Sequence, residues 1–299
     1  MRALVISGGG SKGAFAGGVA QYLLQNKRIH HDLFIGTSTG SLLIPHLALG
    51  NIDKLHSIYT NVSMDQIFDI NPFIIKRKER AEYVTINHFN VIWQFLRGRR
   101  TFGESRKLRE FIKTNFSESE FDYLKSLPTD VIVTVTNISK NQPEYKSIKD
   151  CTYEEFCDWI WISSNYIPFM SLVKKDFCEY GDGGFSCFVP IAEAINRGAT
   201  EIDVIILETE IRIKKTILGK NPFSLLINLF LFTMDQVGKR DLWNGKLAAK
   251  NKNTKLNLYY TPTKLTNNAL IFNQKKMKKW WDLGFKYAQN KSEIMSDNK

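Results

Sequence analysis

Short apolar runs, set off by glycines or polar turns, mark out the chain. The first is Ala3-Leu4-Val5-Ile6. A run of that length without polar alternation predicts a strand buried on both faces. It passes directly into Ser7-Gly8-Gly9-Gly10-Ser11-Lys12-Gly13, and a helix is expected from about Ala14 to Gln25. Leu33-Phe34-Ile35 repeats the pattern. It predicts a second strand, followed by the tight turn Gly36-Thr37-Ser38-Thr39-Gly40 and an apolar helix carrying Leu42, Leu43, Ile44, Leu47 and Ala48. Further on, Asp130-Val131-Ile132-Val133-Thr134-Val135-Thr136 reads as a central strand, and Tyr153 to Ser164 as an amphipathic helix that stops near Pro168. Ile202-Asp203-Val204-Ile205-Ile206-Leu207 is a strong strand. The remainder predicts an apolar helix at Phe223–Met234, a strand at Leu256–Tyr260 and a last helix from Gln274 to about Ala288. Strands alternating with helices indicate an α/β protein.

Residues 51–125 read as helical and irregular. They carry the basic clusters Lys76-Arg77-Lys78 and Arg97-Gly98-Arg99-Arg100, with exposed-looking Phe89, Trp93, Phe95 and Phe102. The region fits a cap-like insertion over a site, or equally a plain outer helical layer.

The composition, 43% hydrophobic and 24% charged, suits a globular chain able to bury a sizeable core. The net charge of +11 is uneven: residues 212–299 hold 18 Lys/Arg and 5 Asp/Glu. A basic region of this kind can meet nucleic acid or an anionic membrane, and more commonly it is solvated lysines on helix surfaces. No nucleic-acid recognition element accompanies it, which disfavours the first. Cys151, Cys157, Cys178 and Cys187 form no C-x-x-C pair and have no histidine nearby in sequence, so no metal site is expected and buried thiols in a reducing compartment are. No signal peptide is visible, and Phe223–Met234 falls short of the ~20 residues that span a bilayer.

The candidate chemistry lies in the two glycine turns. Gly36-x-Ser38-x-Gly40 between a strand and a helix is the pattern of a nucleophile elbow. It raises a serine hydroxyl at a helix N-terminus, where developing negative charge is favoured. Gly8-x-Gly10-x-x-Gly13 matches a dinucleotide fingerprint. However, the position where a ribose-binding acid belongs holds Gly36-Thr37-Ser38, and Asp32 precedes the second strand. A P-loop fails too, because Gly13 follows Lys12. An anion cradle of backbone N–H groups beside Ser38 fits better: an oxyanion hole facing a nucleophile.

The serine needs a base. None of His30, His31, His46, His56 and His88 follows Asp182, so the chain order Ser, acid, His of α/β-hydrolases cannot be made. His46 lies eight residues along the helix from Ser38, roughly 12 Å away. His56 and His88 read as surface or loop residues. A desolvated carboxylate can replace histidine. Asp182-Gly183-Gly184, in a loop, is the best candidate, because its glycines let the backbone approach a crowded site.

Gly8-Gly9-Gly10-Ser11-Lys12-Gly13, Gly36-Thr37-Ser38-Thr39-Gly40 and Asp182-Gly183-Gly184, in this order, resemble the patatin-like phospholipases. Ser163-Ser164-Asn165-Tyr166-Ile167-Pro168 is similar to the family's segment before the aspartate. Pro190-Ile191, Ala194 and Gly198-Ala199 resemble the segment after it, and Leu283-Gly284-Phe285 resembles the family's ending. The resemblance covers nearly the whole chain and is weakest at about 60–127 and 211–253. It implies a three-layer α/β/α fold with a largely parallel sheet. It implies Ser38 as nucleophile and Asp182 as base, with the N–H groups of Gly9, Gly10 and Ser11 as oxyanion hole. No cofactor or metal is implied. Ser163 stands where the family usually has Ala, a departure that leaves the mechanism untouched.

The expectation is one domain over residues 1–290, with a variable helical insertion at about 60–127, a basic part at about 211–290 and a polar tail at 291–299. Its expected function is hydrolysis of membrane phospholipid acyl esters through a Ser–Asp dyad and an acyl-enzyme. The alternatives are a soluble-ester or thioester hydrolase and a non-catalytic membrane- or partner-binding module. The expected location is cytoplasmic and peripheral on membranes. Phe223–Met234 beside the basic residues is either an interfacial helix or a buried core helix, and a protein activator stays an open alternative as partner.

Overall fold

Leu4 and Ile6 leave the first strand on one face and Ala3 and Val5 on the other, and all four are fully buried. That double burial requires a layer of helices on each side. The computed structural model describes residues 1–78, 81–210, 222–266 and 268–297. Strand β1 (Arg2–Ile6) leads to α1 (Gly13–Gln21), and β2 (Leu33–Thr37) to α2 (Thr39–Ala48). Next come α3 (Ile52–Asn61), α4 (Met64–Ile67), β3 (Phe73–Lys78), β4 (Ala81–Ile86), α5 (His88–Leu96), α6 (Arg106–Asn115) and α7 (Glu118–Ser126). The chain continues through β5 (Asp130–Asn137), β6 (Gln142–Ser147), α8 (Tyr153–Ser163), β7 (Val173–Lys175) and β8 (Cys178–Asp182). It ends with α9 (Ile191–Asn196), β9 (Glu201–Ile206), α10 (Pro222–Asn251), β10 (Lys255–Tyr260) and α11 (Gln274–Asp297).

Among the described residues, eight strands form one sheet in the order β10-β9-β1-β2-β5-β8-β7, with β6 also on β5. The run from β10 to β5 is parallel; β6, β7 and β8 are antiparallel to their neighbours. One face carries Leu4, Ile6, Phe34, Val133 and Ile205 against α1, α2, α3, α8 and α11. The other carries Val5, Ile35, Ile132, Val204 and Ile206 against α9 and α10. The fold is therefore three-layered α/β/α around a mostly parallel sheet, as the resemblance implies.

Helices α1 and α11 lie unusually close. A Cβ on Gly284 would sit 2.1 Å from the Phe15 carbonyl, and one on Gly18 would sit 1.9 Å from that of Trp281. Trp281 Nε1 then donates to Gln21 Oε1 at 2.7 Å. This clamp fixes α1, and with it the turn that precedes α1.

Several elements differ from the sequence reading. The helix expected to Gln25 ends at Gln21 and continues as a π-type turn over Tyr22–Asn26. The expected helical insertion contains a two-stranded hairpin, β3–β4, with Phe73 opposite Ile86. Ile74, Ile75, Val84, Thr85 and Ile86 are good strand formers, and the charged run between them masks the pairing in sequence. The side chains of the Lys76-Arg77-Lys78 cluster lie outside the described residues. Asp182 ends a strand instead of lying in a loop. Helix α10 is far longer than Phe223–Met234. Its Leu225, Leu229 and Phe232 are exposed, so that face is not core, whereas Phe223, Leu226, Ile227 and Leu231 lie outside the described side chains. The expected polar tail continues α11 to Asp297, with Lys291 Nζ donating to the Leu258 carbonyl at 2.7 Å. Residues 211–221 of the basic region lie outside the described residues.

Candidate active site

Strands β1 and β2 pair with Ile6 beside Gly36, so the turns that follow them open side by side at the carboxyl edge of the sheet. Such an edge is where open α/β sheets collect their ligands. Ser38 follows β2 and caps α2 with φ 54° and ψ −119°. That left-handed backbone is strained for a residue with a Cβ. Neighbouring glycines make it possible: a Cβ on Gly36 would lie 2.4 Å from Gly40 C, and one on Gly40 would lie 2.3 Å from Ile6 O. Ser163, at the end of α8, holds the elbow from below. Its Oγ accepts from the Ser38 N–H at 2.9 Å and donates to the Thr134 carbonyl at 2.6 Å. The Ser164 hydroxyl reaches the Ser38 carbonyl at 3.3 Å.

The carboxylate arrives along β5. One edge of β5 pairs with β6 over Ile132–Asn137. The other pairs with β2 as far as Thr37 opposite Thr134, and then with β8 from Asp182 opposite Val135. The ends of β2 and β8 thus meet head to head on a single edge. There the Ser38 hydroxyl donates to Asp182 Oδ2 at 2.6 Å. Asp182 Oδ1 accepts from the Gly184 N–H at 2.8 Å, and the Asp182 carbonyl accepts from Thr136 Oγ1 at 2.8 Å. Asp182 is 2% exposed. Burial pushes its pKa up to about 7, against the opposing pull of the Ser38 and Gly184 hydrogen bonds. The same burial, with Asp182 close by, raises the Tyr166 phenol.

The glycine turn after β1 faces this pair. A Cβ on Gly8 would stand 3.4 Å from Ser38 Cβ. Gly10 has φ +55°, and its carbonyl accepts from Thr39 Oγ1 at 2.8 Å and Tyr59 Oη at 2.7 Å. The Gly9 carbonyl accepts from the Lys12 N–H at 3.2 Å. The peptide planes carrying the Gly10 and Ser11 N–H groups are thereby fixed. Among the described residues, no acceptor is bonded to the Gly9 or Gly10 N–H. Ser11 is a correction: its N–H donates to the Ala269 carbonyl at 2.7 Å, so it is spent on the segment after β10 instead of facing Ser38. Gly13 packs α1 against Thr39 and Tyr59.

None of the histidines bonds Ser38. His31 bonds Asp203 at 2.8 Å, behind the sheet's other end. His46 is buried and neutral, its pKa lowered to about 4 chiefly by desolvation. His56 is half-buried edge-on to Trp281, not a loose surface residue, and His88 opens α5. Cys151, Cys157 and Cys187 are buried free thiols, and Cys178 is half-buried. No group of three or more His, Cys, Asp or Glu side chains among the described residues is arranged to hold a metal ion.

Ser38 and Asp182 lie in a cavity of about 1930 Å³. Its lining includes the apolar Leu42, Leu55, Leu108, Ile112 and Ile160 from α2, α3, α6 and α8, and Val62 just after α3. Phe188 and, from α10, Phe232, Met234 and Gly238 line it as well. Asp241 of α10 accepts from the Phe188 and Val189 N–H groups at 2.5 and 3.2 Å, which ties that helix to the loop following Asp182.

Of the residues the sequence singles out, the fold brings Ser38 and Asp182 into hydrogen-bond contact and sets the turn of Gly9 and Gly10 beside them. The sequence reading misses the contact of Ser163, which touches the turn through the Ser38 N–H. It also missed Tyr59 and Thr39, whose hydroxyls set the glycine turn; no spacing in the sequence joins them to it.

A sequence model of the family described as patatin-like phospholipase matches residues 4–195, a span that contains both turns and Asp182. Among solved structures, VipD from Legionella pneumophila is similar in fold, with a TM-score of 0.55 and 13% identity over 97% of this chain. The match covers 66% of the VipD chain, so this chain spans just under two thirds of that protein's length. No curated protein matches the sequence.

Proposed function

The chain belongs to the patatin-like phospholipase family, and on that premise we propose that it is a lipid acyl hydrolase cleaving fatty acyl esters of membrane phospholipids. The observation that carries the reading is the 2.6 Å hydrogen bond from Ser38 Oγ to a buried Asp182, both lining a largely apolar cavity. Ser38 Oγ attacks the ester carbonyl and its proton passes to Asp182 Oδ2. A carboxylate with a pKa near 7 is matched to that task. The negative charge on the tetrahedral carbonyl oxygen is taken up by the N–H groups of Gly9 and Gly10 and by the N-terminus of α2. Asp182 returns the proton to the departing lysophospholipid oxygen. Water then enters, gives its proton to Asp182 and attacks the acyl-serine, which releases fatty acid and restores Ser38.

The apolar cavity wall supports a long acyl chain as the bound part of the substrate. The exposed Leu225, Leu229 and Phe232 of α10, beside a basic C-terminal part, support action at a lipid surface. The test is incubation with mixed phospholipid vesicles, with products identified by mass spectrometry. Fatty acid and lysophospholipid are expected from the unsubstituted protein and not from a folded Ser38→Ala protein. Turnover by Ser38→Ala near the unsubstituted rate would sink the assignment, and turnover of only short soluble esters or thioesters would move the substrate class.

A further inference from the structure

Helix α5 is turned inside out. A surface helix of a water-soluble fold buries its apolar stripe and shows its polar side. In α5, Phe89, Ile92, Trp93 and Leu96 share one face at i, i+3, i+4 and i+7, and that face is open to solvent. Phe89 is 78% exposed and Leu96 77%. Phe95, beside the stripe, is exposed as well. The buried side chain of α5 is the polar one, Gln94, whose Nε2 has no hydrogen-bond partner among the described residues.

The neighbouring hairpin is also apolar and exposed, with Ile74 and Ile75 of β3 open on its two faces. The two pieces are joined at their base. The Asn87 N–H donates to the Pro72 carbonyl at 2.8 Å, and Asn90 Nδ2 donates to the Asn71 carbonyl at 2.9 Å. The patch also borders the cavity that holds Ser38, since Thr85, Ile86 and His88 line it. Ring contacts run from there towards α10: Phe73 to Phe169 at 5.2 Å (tilted), Phe169 to Tyr166 at 6.2 Å (stacked) and Tyr166 to Phe230 at 5.6 Å (tilted).

The charge at its edge is of one sign. Residues 83–103 contain no Asp or Glu and include Arg97, Arg99 and Arg100. Arg100 is committed to Glu179 through two hydrogen bonds. Arg97 lies over the Trp93 ring at 3.6 Å, and Arg99 is exposed. A broad apolar face of Phe, Ile, Trp and Leu rimmed by arginines is complementary to a bilayer: acyl chains below, phosphates at the rim.

We propose that α5, with the outer side of β3, is the element by which this protein enters an anionic phospholipid surface, Phe89, Ile92, Phe95 and Leu96 among the acyl chains and Arg97 and Arg99 at the phosphates. The proposal rests on the lipid-hydrolase reading in one respect: it sets lipid beside the cavity that holds Ser38, which Thr85, Ile86 and His88 help to line.

The experiment reads binding without turnover, on the Ser38→Ala protein, by co-sedimentation with vesicles of phosphatidylcholine alone and of phosphatidylcholine mixed with phosphatidylserine. Phe89→Glu with Leu96→Glu is expected to lower the partition coefficient about tenfold or more on both compositions, because two inserted side chains become charged. Arg97→Gln with Arg99→Gln is expected to abolish the preference for phosphatidylserine and leave neutral vesicles bound. Phe95→Glu repeats the first test at a single exposed position, should the double change alter the thermal transition. Vesicle binding unchanged by both the double and the single apolar change overturns the proposal. So does a chain that self-associates through α5, shown by a dimer that Phe95→Glu dissociates while vesicle binding persists. Vesicle binding without any ester hydrolysis by the unsubstituted protein would remove the hydrolase reading and leave this surface standing; ester hydrolysis without vesicle binding would do the reverse.

Discussion

Thr37 and Asp182 occupy successive register positions, opposite Thr134 and Val135, on one edge of β5. One is the last residue of a parallel strand, the other the last of an antiparallel strand running in from the far end. Ser38, which follows Thr37, and the carboxylate of Asp182 are therefore positioned by the same backbone, with no loop between them to drift. Gly183 permits the meeting, since a Cβ there would lie 2.2 Å from the Thr134 carbonyl and 3.1 Å from Thr37 Cγ2.

Gly183→Ala is therefore expected to push the end of β8 off β5 and open the Ser38–Asp182 hydrogen bond. A displacement near 1 Å at reacting groups costs about a hundredfold in rate. Labelling of Ser38 by a fluorophosphonate should slow by about that factor while the circular dichroism stays that of a folded α/β protein. Labelling at the unsubstituted rate would show that the head-to-head junction does not set the geometry.

How much of this could be read beforehand depended on where the information lay along the chain. Runs such as Leu33–Ile35 and Ile202–Leu207 declare themselves because strands buried on both faces must be continuously apolar. The elbow is legible because strain at Ser38 demands glycines two positions away on either side. The β3–β4 hairpin was not legible, because its strand formers flank a charged run that resembles a helix surface. Nor was the loss of the Ser11 N–H to Ala269, a partner supplied from beyond β10 by tertiary packing. Asp182 was found from its glycines, but its strand-end position follows from pairing with β5, which no local pattern encodes.

The buried carboxylate gives the protein a pH signature of two opposite signs. Asp182 accepts a proton only when ionised, so kcat/KM for a soluble ester should rise with pH through about 7 and then level. Stability should move the other way. The folded-state pKa lies above the ordinary carboxylate value near 4, so between about pH 4 and 7 the folded chain holds a proton the unfolded chain has lost. Stability contributed by the protonated form is thus full below pH 4 and is lost as pH rises through 7. At about 1.4 kcal/mol per pH unit the loss amounts to a few kcal/mol. Asp182→Asn should lack both effects: very slow labelling, and a melting temperature that exceeds the unsubstituted one at pH 8 by more than at pH 5. An unsubstituted protein whose activity is flat between pH 5.5 and 8.5 would contradict a carboxylate base titrating near 7.

Ser163→Ala tests whether the hydroxyl beneath the elbow matters to position. The change leaves the buried Ser38 N–H and the Thr134 carbonyl without their partner, which costs about 1–3 kcal/mol for such a group. The denaturant midpoint should fall accordingly. If the bond also orients Ser38, kcat should drop by about tenfold with KM unchanged, and Ser163→Thr, which keeps a hydroxyl, should recover most of it. A loss of stability with kcat intact would assign Ser163 to the fold alone.

Helix α10 presents two faces, and they make separable predictions. Leu225 and Leu229 are exposed, whereas Phe230 packs on Tyr166 at 5.6 Å and on Phe185 at 5.9 Å. Tyr166 in turn lies close enough to Asp182 for the carboxylate to raise its phenol. Leu225→Glu with Leu229→Glu should therefore lower hydrolysis of vesicle lipid by removing apolar contact with the bilayer, yet spare a short soluble ester. Phe230→Glu would bury a charge against the aromatic wall beside Asp182, where it must be desolvated. It should reduce soluble-ester turnover as well, through the dyad and not through the membrane. Vesicle and soluble rates are to be measured side by side for both proteins. Equal loss of the two rates in Leu225→Glu with Leu229→Glu would mean that the outer face of α10 supports the site and not the lipid contact, and would leave α5 as the membrane-facing element.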